Sequence, residues 1–389
     1  MSTKIPNKSR PHIVIILPTY NEAENIGELI KQLSAVFKRE TGYEFSILVV
    51  DDTSPDNTAG IVKNLQKKQS NISLLLGEKR GLGAAYIRGM HYAVDRMHAD
   101  ILFQMDSDLS HDPAVVPSFL RKLEKGADYV VGSRYIPGGS IPENWGADRK
   151  LFSVVGNFII RFGLMIPRIH EWTSGYRAMR VEVFKKISEG LEKYRGYIFQ
   201  IASMHRVVKA HFAISEVPIN FIDRKYGTSK IIPKEYIPDV LRYILLNSSF
   251  VRFFVTGLFG FGLDFSIAAF LIYMLQMFEP TANAMSSAVA VSSNFIINNY
   301  WSFNHKKISG GVDVYIRKYV QFVIVAVGSV GIQWLGMYVS LHTLGDQDIV
   351  LGTLNIHSWV VYKVFIIAFF IIPYSYLMYN RVIWRAPSR

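Results

Sequence analysis

The chain contains no cysteine. Disulfides, thiolate metal sites and cysteine nucleophiles are therefore excluded. Charge is sparse as well: Asp, Glu, Lys and Arg make up 19% of 389 residues. A cleavable signal peptide is not expected, because Met1–Arg10 is polar and the apolar run after it has no small-residue cleavage site. No G-x-G-x-x-G phosphate loop is present; Gly81 and Gly83 are read as permitting a tight turn rather than contacting phosphate.

What the chain has instead is apolar surface and positive charge. Hydrophobic residues reach 50%, the mean hydropathy is +0.17, and the net charge is +12. A basic balance fits either nucleic acid or an anionic membrane surface. The membrane is favoured, because the apolar excess collects after Phe250 in segments of membrane length. Four are expected to span, roughly 250–278, 281–303, 315–344 and 352–384, each longer than the ~20 residues a spanning helix needs. The second is rich in serine and asparagine and is expected to pack inside a helical bundle, where such groups bond across helices. His305, Lys306, Lys307, Arg317 and Lys318 lie between the second and third segments, and Arg381, Arg385 and Arg389 follow the fourth. The other two connections carry Glu279, then Asp346 and Asp348, without lysine or arginine. The positive-inside rule then places both termini, the middle loop and everything before Phe250 on the cytoplasmic side. Within the spans, Asp264 and Lys363 are costly charges, expected to form a structural ion pair, with lipid translocation as the other reading.

At this length more than one domain is expected. The first half alternates strand and helix signals. Ile13–Leu17 is an unbroken β-branched and leucine run, suited to a strand buried on both faces of a parallel sheet. Further strands are expected at 45–50, 72–76 and 101–105, with helices between them from Glu24, from about Asn57 to Lys68, and from Ala84. Such alternation implies right-handed βαβ units in a doubly wound, mostly parallel sheet, whose ligands bind beyond the carboxyl ends of the strands. Tyr20, Glu22, Asp51, Arg80, Asp106 and Asp108 all fall there. Asp106-Ser107-Asp108 is the most informative feature: two carboxylates at the end of a buried strand can bind a divalent cation, which can hold a diphosphate. Between the halves, Lys150–Ile169 and Tyr236–Leu246 pair apolar residues with a basic fringe, the pattern of helices lying in the headgroup plane. An ordinary amphipathic core helix is the other reading.

Several motifs carry a resemblance. Leu17-Pro18-Thr19-Tyr20-Asn21-Glu22, Val50-Asp51-Asp52-Thr53-Ser54-Pro55-Asp56, Gly81-Leu82-Gly83-Ala84-Ala85-Tyr86, Met105 to His111, Gly132-Ser133-Arg134-Tyr135 and Thr173-Ser174-Gly175-Tyr176-Arg177 stand in order and at fitting spacing. Gly196 to Gln200 and Glu216 to Lys230 extend the match. From about Ile13 to Leu245 the chain resembles family 2 glycosyltransferases, and within them the dolichyl-phosphate mannose synthases. The tail resembles the four-helix GtrA-like membrane domain. The resemblance implies a cytoplasmic GT-A domain over residues 1–230, an interfacial helix or linker over 231–249 and a four-helix transmembrane domain over 250–389. It also implies inverting transfer of a hexose, foremost mannose from GDP-mannose, to dolichyl or polyprenyl phosphate at the membrane. Nucleic acid is not an expected partner.

The chemistry of that reaction can be set against the residues. The departing diphosphate needs counter-charge, which Mg²⁺ or Mn²⁺ on Asp106 and Asp108 supplies. The acceptor phosphate, with its second pKa near 6, is already mostly dianionic, so it needs positioning rather than a strong base. Arg134 and Arg149 are the candidates to grip it, since a guanidinium binds phosphate oxygens bidentately. Ser153, one turn after Arg149, can add a hydroxyl. Arg224 and Lys230 are expected to close over the diphosphate or the acceptor phosphate. By resemblance Pro18, Tyr20, Glu22 and Asp51 line the nucleotide pocket, and Gln200 faces sugar or acceptor. Asp52 and Asp56 are read as shaping a turn.

The chain departs from the pattern in places. Ala202 stands where many relatives carry glutamate, Glu171 replaces a more usual aspartate, and Thr53 and Asn57 occupy positions where glycine or other small residues are frequent. These departures bear on the choice of sugar rather than on the reaction class. A UDP-glucose-dependent glucosyltransferase and a non-enzymatic lipid-sugar translocator stand as alternatives. The absence of a Gln-x-x-Arg-Trp motif argues against a processive polymerase.

Overall fold

A computed structural model describes residues 10–194, 196–223, 233–345, 347–351 and 354–385. The chain divides into two compact units. One runs to Tyr243 without Gly163–Met165; the other holds Gly163–Met165 and Ile244 onward.

The first unit is an α/β sandwich. Its strands are β1 (His12–Thr19), β2 (Glu44–Asp51), β3 (Ile72–Leu76), β4 (Ile101–Gln104), β5 (Tyr129–Ser133), β6 (Arg177–Arg180) and β7 (Ile214–Pro218). They form a seven-stranded sheet in the order β3-β2-β1-β4-β6-β5-β7. Only β6 runs antiparallel to its neighbours, so the mostly parallel, doubly wound expectation holds. The helices are α1 (Ile26–Phe37), α2 (Thr58–Gln66), α3 (Leu82–Asp95), α4 (Val116–Glu124), α5 (Ala147–Gly163), α6 (Val181–Ile187), α7 (Gly196–Lys209) and α8 (Pro233–Asn247). The run Ile13–Leu17 is fully buried, as a strand covered on both faces must be, and its Ile13, Ile15 and Leu17 pack with Leu29, Leu33, Phe103 and Phe119 in one continuous core. The chain moves outward from β1 through β2 to β3, then returns to place β4 on the other side of β1. That reversal opens a crevice at the carboxyl ends of β1 and β4.

Helix α5 shows its apolar face to the outside. Leu151, Phe152, Phe158 and Phe162 are 44–64% exposed, while only Asn157 and Ile160 of the helix are buried. An ordinary core helix would have buried that stripe.

The second unit is helical: α9 (Ser249–Ala269), α10 (Glu279–Ile297), α11 (Val312–Leu344), α12 (Ser358–Ile366) and α13 (Ile372–Met378). Helices α9, α10, α12 and α13 each run into a wider π-helical turn. Among the described residues, three stretches are long and apolar enough to cross a membrane: Ser249–Met274, Val312–Leu344 and Ser358–Ile383. The expected second span is the α10 helix. It packs as anticipated, with Ser286 bonded to Asp264 at 2.6 Å, Ser292 to the Tyr319 hydroxyl at 2.8 Å, and the Asn299 amide oxygen accepting from the Trp384 indole at 2.9 Å. Two expectations need correction. The fourth helix does not start near Gly352: strands β8 (Asp348–Leu351) and β9 (Leu354–His357) pair as an antiparallel hairpin, and the helix begins at Ser358. Asp264 and Lys363 do not form an ion pair; Asp264 accepts from Ser286 and Ser287 of α10, which answer its charge locally, and Lys363 is exposed. Asp346 and Arg389, used for loop charge, lie outside the described residues.

Candidate active site

Asp106 and Asp108 follow the last residue of β4 at the crevice. Asp108 is buried, and its Oδ1 accepts from the Ser110 amide at 3.1 Å and hydroxyl at 2.6 Å. Leu109, between them, adopts φ of 62° to make the tight turn. Asp106 is less enclosed. Its Oδ1 accepts from the Tyr86 hydroxyl at 2.9 Å. Burial, then the two aspartates, pushes the Tyr86 hydroxyl well above its ordinary pKa, so it remains a donor. The Asp106 amide donates to His111 Nδ1 at 3.1 Å. Burial holds His111 below its usual pKa although the aspartates oppose this, so the ring is neutral and Nε2 carries its proton, 3.9 Å from Asp106 Oδ2.

The donor set suits a hard divalent cation. No cluster of three or more His, Cys, Asp or Glu occurs among the described residues, so the protein offers the carboxylate pair and no closed cage. One or two carboxylates, with remaining positions left to phosphate oxygens and water, is the usual arrangement for Mg²⁺ held with a nucleotide.

The β1 and β2 ends form the neighbouring wall. The Ser107 hydroxyl donates to the Pro18 carbonyl at 2.8 Å, tying the β4 end to the β1 end. Tyr20 lies beneath the Lys79 ammonium, 3.5 Å from the ring centre. Glu22 accepts from Asn25 at 2.8 Å. Asp51 is fully buried, and its carboxylate takes the Thr19 hydroxyl at 2.8 Å and the Ser54 hydroxyl and amide at 2.6 and 2.9 Å. These bonds shape this wall from within. Asp52 pairs with Arg88 at 2.5 Å. Asp56 takes the Ala23 amide and the Thr58 amide and hydroxyl; burial opposes ionisation, but these bonds hold its pKa below the ordinary value. Asp56 therefore builds the turn, as read from sequence, whereas the Asp52 side chain reaches out of it to Arg88 of α3. Arg80 points to Glu78 at the surface, with both side chains largely exposed.

On the other side, Arg134 closes a fork on Glu171, Nε to Oε2 at 2.8 Å and Nη2 to Oε1 at 2.9 Å, and donates to Thr173 Oγ1 at 2.8 Å. The pair is buried, with Glu171 fully enclosed. Burial alone would raise the Glu171 pKa; the Arg134 charge and hydrogen bonds bring it below the usual range. Arg149, by contrast, is 42% exposed and reaches Asp223 at only 3.4 Å while lying 3.8 Å over Trp145. The two arginines meet one aromatic wall: Arg134 lies 5.4 Å from the Phe221 ring, whose edge contacts Trp145 and His111. Ser153 Oγ shares a 2.5 Å hydrogen bond with the Tyr135 hydroxyl, joining α5 to the end of β5. Gln200 is 2% exposed, and neither atom of its amide finds a partner. A buried amide in that condition needs a partner, which water or a bound group can supply. Arg224 and Lys230 lie outside the described residues. Ala202 is fully buried, and nothing in the structure explains the loss of a carboxylate there.

Sequence reading missed Tyr86, His111, Lys79 and Trp145. Tyr86 and His111 stood inside quoted motifs, but the Tyr86 link to Asp106 depends on α3 packing beside the β4 end, and the His111 link on the fold of the turn after β4.

Comparison with known proteins agrees with this geometry. The glycosyl transferase family 2 model matches residues 14–188, and the GtrA/DPMS transmembrane domain model matches 252–384. The polyprenol monophosphomannose synthase of Mycolicibacterium smegmatis is 37% identical over 220 residues, 56% of this chain and 80% of that protein. The dolichol-phosphate mannosyltransferase of Pyrococcus furiosus is 30% identical over 342 residues, 85% of this chain and 92% of that protein. The undecaprenyl-phosphate mannosyltransferase of Micrococcus luteus is 35% identical over 235 residues, 59% and 93% respectively. The chain belongs to glycosyl transferase family 2, among the polyprenyl-phosphate mannosyltransferases, and carries a GtrA/DPMS transmembrane domain.

Proposed function

We propose that this enzyme transfers mannose from GDP-mannose, with inversion, to dolichyl or polyprenyl phosphate at the cytoplasmic face of a membrane. The observation that carries the reading is the meeting of the Asp106/Asp108 pair with the Pro18–Glu22 loop at the crevice of the sheet. Relatives named for mannosyl transfer to prenyl phosphates support the acceptor and sugar.

In this reading Pro18, Tyr20 and Glu22 line the nucleotide pocket, and Asp51 holds that wall in shape. Asp106 and Asp108 hold Mg²⁺ or Mn²⁺. When bound, the cation supplies positive charge against the leaving diphosphate. Tyr86 and His111 fix the Asp106 carboxylate and amide. A phosphate oxygen of the acceptor forms the new bond to the anomeric carbon as the bond to the diphosphate breaks and GDP departs. No proton need move, because the acceptor is a dianion.

Positioning of the acceptor falls first to Arg149, whose guanidinium is half open and only loosely held by Asp223. Arg134 serves the acceptor only in part, because its fork is closed on Glu171 and the pair is neutral overall. Ser153 and Tyr135 offer hydroxyls beside Arg149, and the Gln200 amide suits sugar or acceptor oxygens. Arg224 and Lys230 complete the charge around the phosphates. Four helices span the bilayer with both termini and the catalytic unit cytoplasmic, as loop charge implies. The apolar faces of α5 and α8 lie at headgroup depth, where a prenyl phosphate presents its charge.

Two variants test the assignment, with nucleotide sugar and prenyl phosphate titrated separately. Asp108→Ala should lower turnover at least about a hundredfold. Arg149→Ala should raise the acceptor KM about tenfold or more, the loss of a charge-assisted contact, and leave the donor KM nearly unchanged. Normal turnover in the first, or a shift confined to the donor in the second, would contradict these roles.

A further inference from the structure

Arg177 is an unusual residue to bury. It opens β6, is fully enclosed, and has no carboxylate within 4.0 Å among the described residues. A buried cation without an ion partner is costly, and an apolar side chain of similar size would fill the space at less cost. Its stabilisation comes from four hydrogen bonds instead. Nε donates to the Ser174 carbonyl at 2.8 Å, Nη2 to the Trp172 carbonyl at 2.9 Å, and Nη1 to the Tyr129 hydroxyl and the Gln200 carbonyl, both at 2.8 Å.

Two of those acceptors flank one short turn, and that turn ends against Asp106. A Cβ on Gly175 would lie 2.9 Å from Asp106 Oδ1 and 3.1 Å from Oδ2. Gly175 is thus the floor under the carboxylate, and any shift of the turn moves or crowds it. The same turn is held from its other side by Glu171, whose Oε1 accepts the Thr173 and Ser174 amides at 3.0 Å. A third acceptor of Arg177 is the main chain of Gln200 in α7, the residue assigned to sugar or acceptor. One guanidinium therefore ties the floor of the metal carboxylate to the helix on the acceptor side.

We infer that Arg177 is a positioning residue for the donor site: it sets the Trp172–Gly175 turn, which in turn fixes Asp106 for the cation and diphosphate. The inference rests on the metal role of Asp106 and Asp108 proposed above. Lysine at this position would keep the charge and lose the planar fork that reaches several acceptors at once.

Arg180 supplies the control. It sits in the same strand, is 8% exposed, and donates to the Leu123 carbonyl at 2.7 Å and the Ala127 carbonyl at 3.3 Å, with no tie to the turn. The experiment compares full-length Arg177→Lys, Gly175→Ala and Arg180→Lys in detergent, following Mn²⁺ binding by the loss of the free-ion EPR signal in the presence of GDP and, separately, UDP. Thermal unfolding is recorded in parallel. Arg177→Lys and Gly175→Ala should each weaken Mn²⁺ binding about tenfold or more, as loss of an outer-shell support does. Arg180→Lys should lose stability without that change. Equal loss of stability in Arg177→Lys and Arg180→Lys with Mn²⁺ binding unaltered in Arg177→Lys would overturn the inference. Should Arg177→Lys fail to fold, Gly175→Ala decides: unaltered Mn²⁺ binding there removes the turn from the carboxylate's support and overturns it equally. Failure of the unaltered protein to bind Mn²⁺ with either nucleotide would instead refute the metal reading, and the inference with it.

Discussion

Glu171 closes both carboxylate oxygens on Arg134 where almost no water reaches, and one of them, Oε1, also accepts the Thr173 and Ser174 amides. Removing one partner of such a pair leaves the other charge buried and alone. Glu171→Gln should therefore destabilise the protein by about 3–5 kcal/mol, seen as a lower unfolding midpoint in detergent, with Glu171→Asp recovering part of the loss. No change in the midpoint would show that the pair is open to solvent. His205 offers a pH test away from the site. Burial, reinforced by the Lys209 charge, pushes its pKa down to about 3, and Nδ1 lies 2.9 Å from the Tyr243 hydroxyl. The unfolded chain takes up this proton near pH 6.5 and the folded one does not, so stability is complete above that pH and falls as the pH drops toward 3. The slope is at most about 1.4 kcal/mol per pH unit. His205→Phe should flatten the fall of the unfolding midpoint between pH 6.5 and 5; an unchanged slope would assign it to other groups. Thr53 and Asn57 explain their own oddity: both adopt left-handed backbone, φ 55° and 66°, which is why glycine or other small residues suit these positions. Thr53 is held there by its hydroxyl, which donates to the Gly77 carbonyl at 2.8 Å.

The elements were legible where local pattern decides them. The runs at Ile13, Phe45 and Ile101 gave β1, β2 and β4 because a strand buried on both faces is largely apolar, and the short apolar run at Ile72 gave β3, which lies at the sheet edge and is only partly buried. The hairpin of β8 and β9 was not, since its residues continue an apolar stretch that reads equally well as helix. Asp106 and Asp108 were legible because a carboxylate pair at a strand end carries its chemistry in its spacing. The closure of Arg134 on Glu171 was not, because the partners lie 37 residues apart and meet only through packing. For α5, periodicity allowed either a core or an interfacial helix, and the exposure of its phenylalanines argues against the core helix. The cysteine-free chain makes this directly testable. A spin label on Phe158→Cys in lipid nanodiscs should be relaxed by oxygen in preference to a water-soluble nickel chelate, whereas a label on Lys122→Cys in α4 should show the reverse. Preferential relaxation of the Phe158 label by the nickel chelate would place α5 in water.

At the scale of the molecule, the two family matches divide the work: a sheet whose strand ends gather carboxylates, and a helical unit with three helices long and apolar enough to cross a membrane. A donor that is soluble and an acceptor that is not require such a pairing, and the topology proposed above puts the site on the side where the nucleotide sugar is available. The donor base and sugar are the central claim, and one measurement addresses them. Purified full-length protein is incubated with polyprenyl phosphate and, in separate reactions, labelled GDP-mannose, UDP-glucose and UDP-N-acetylglucosamine, with Mn²⁺ or with excess EDTA, and label entering the organic phase is counted. The account predicts metal-dependent labelling of the lipid from GDP-mannose alone. Labelling from UDP-glucose without labelling from GDP-mannose, or full labelling in EDTA, would contradict it.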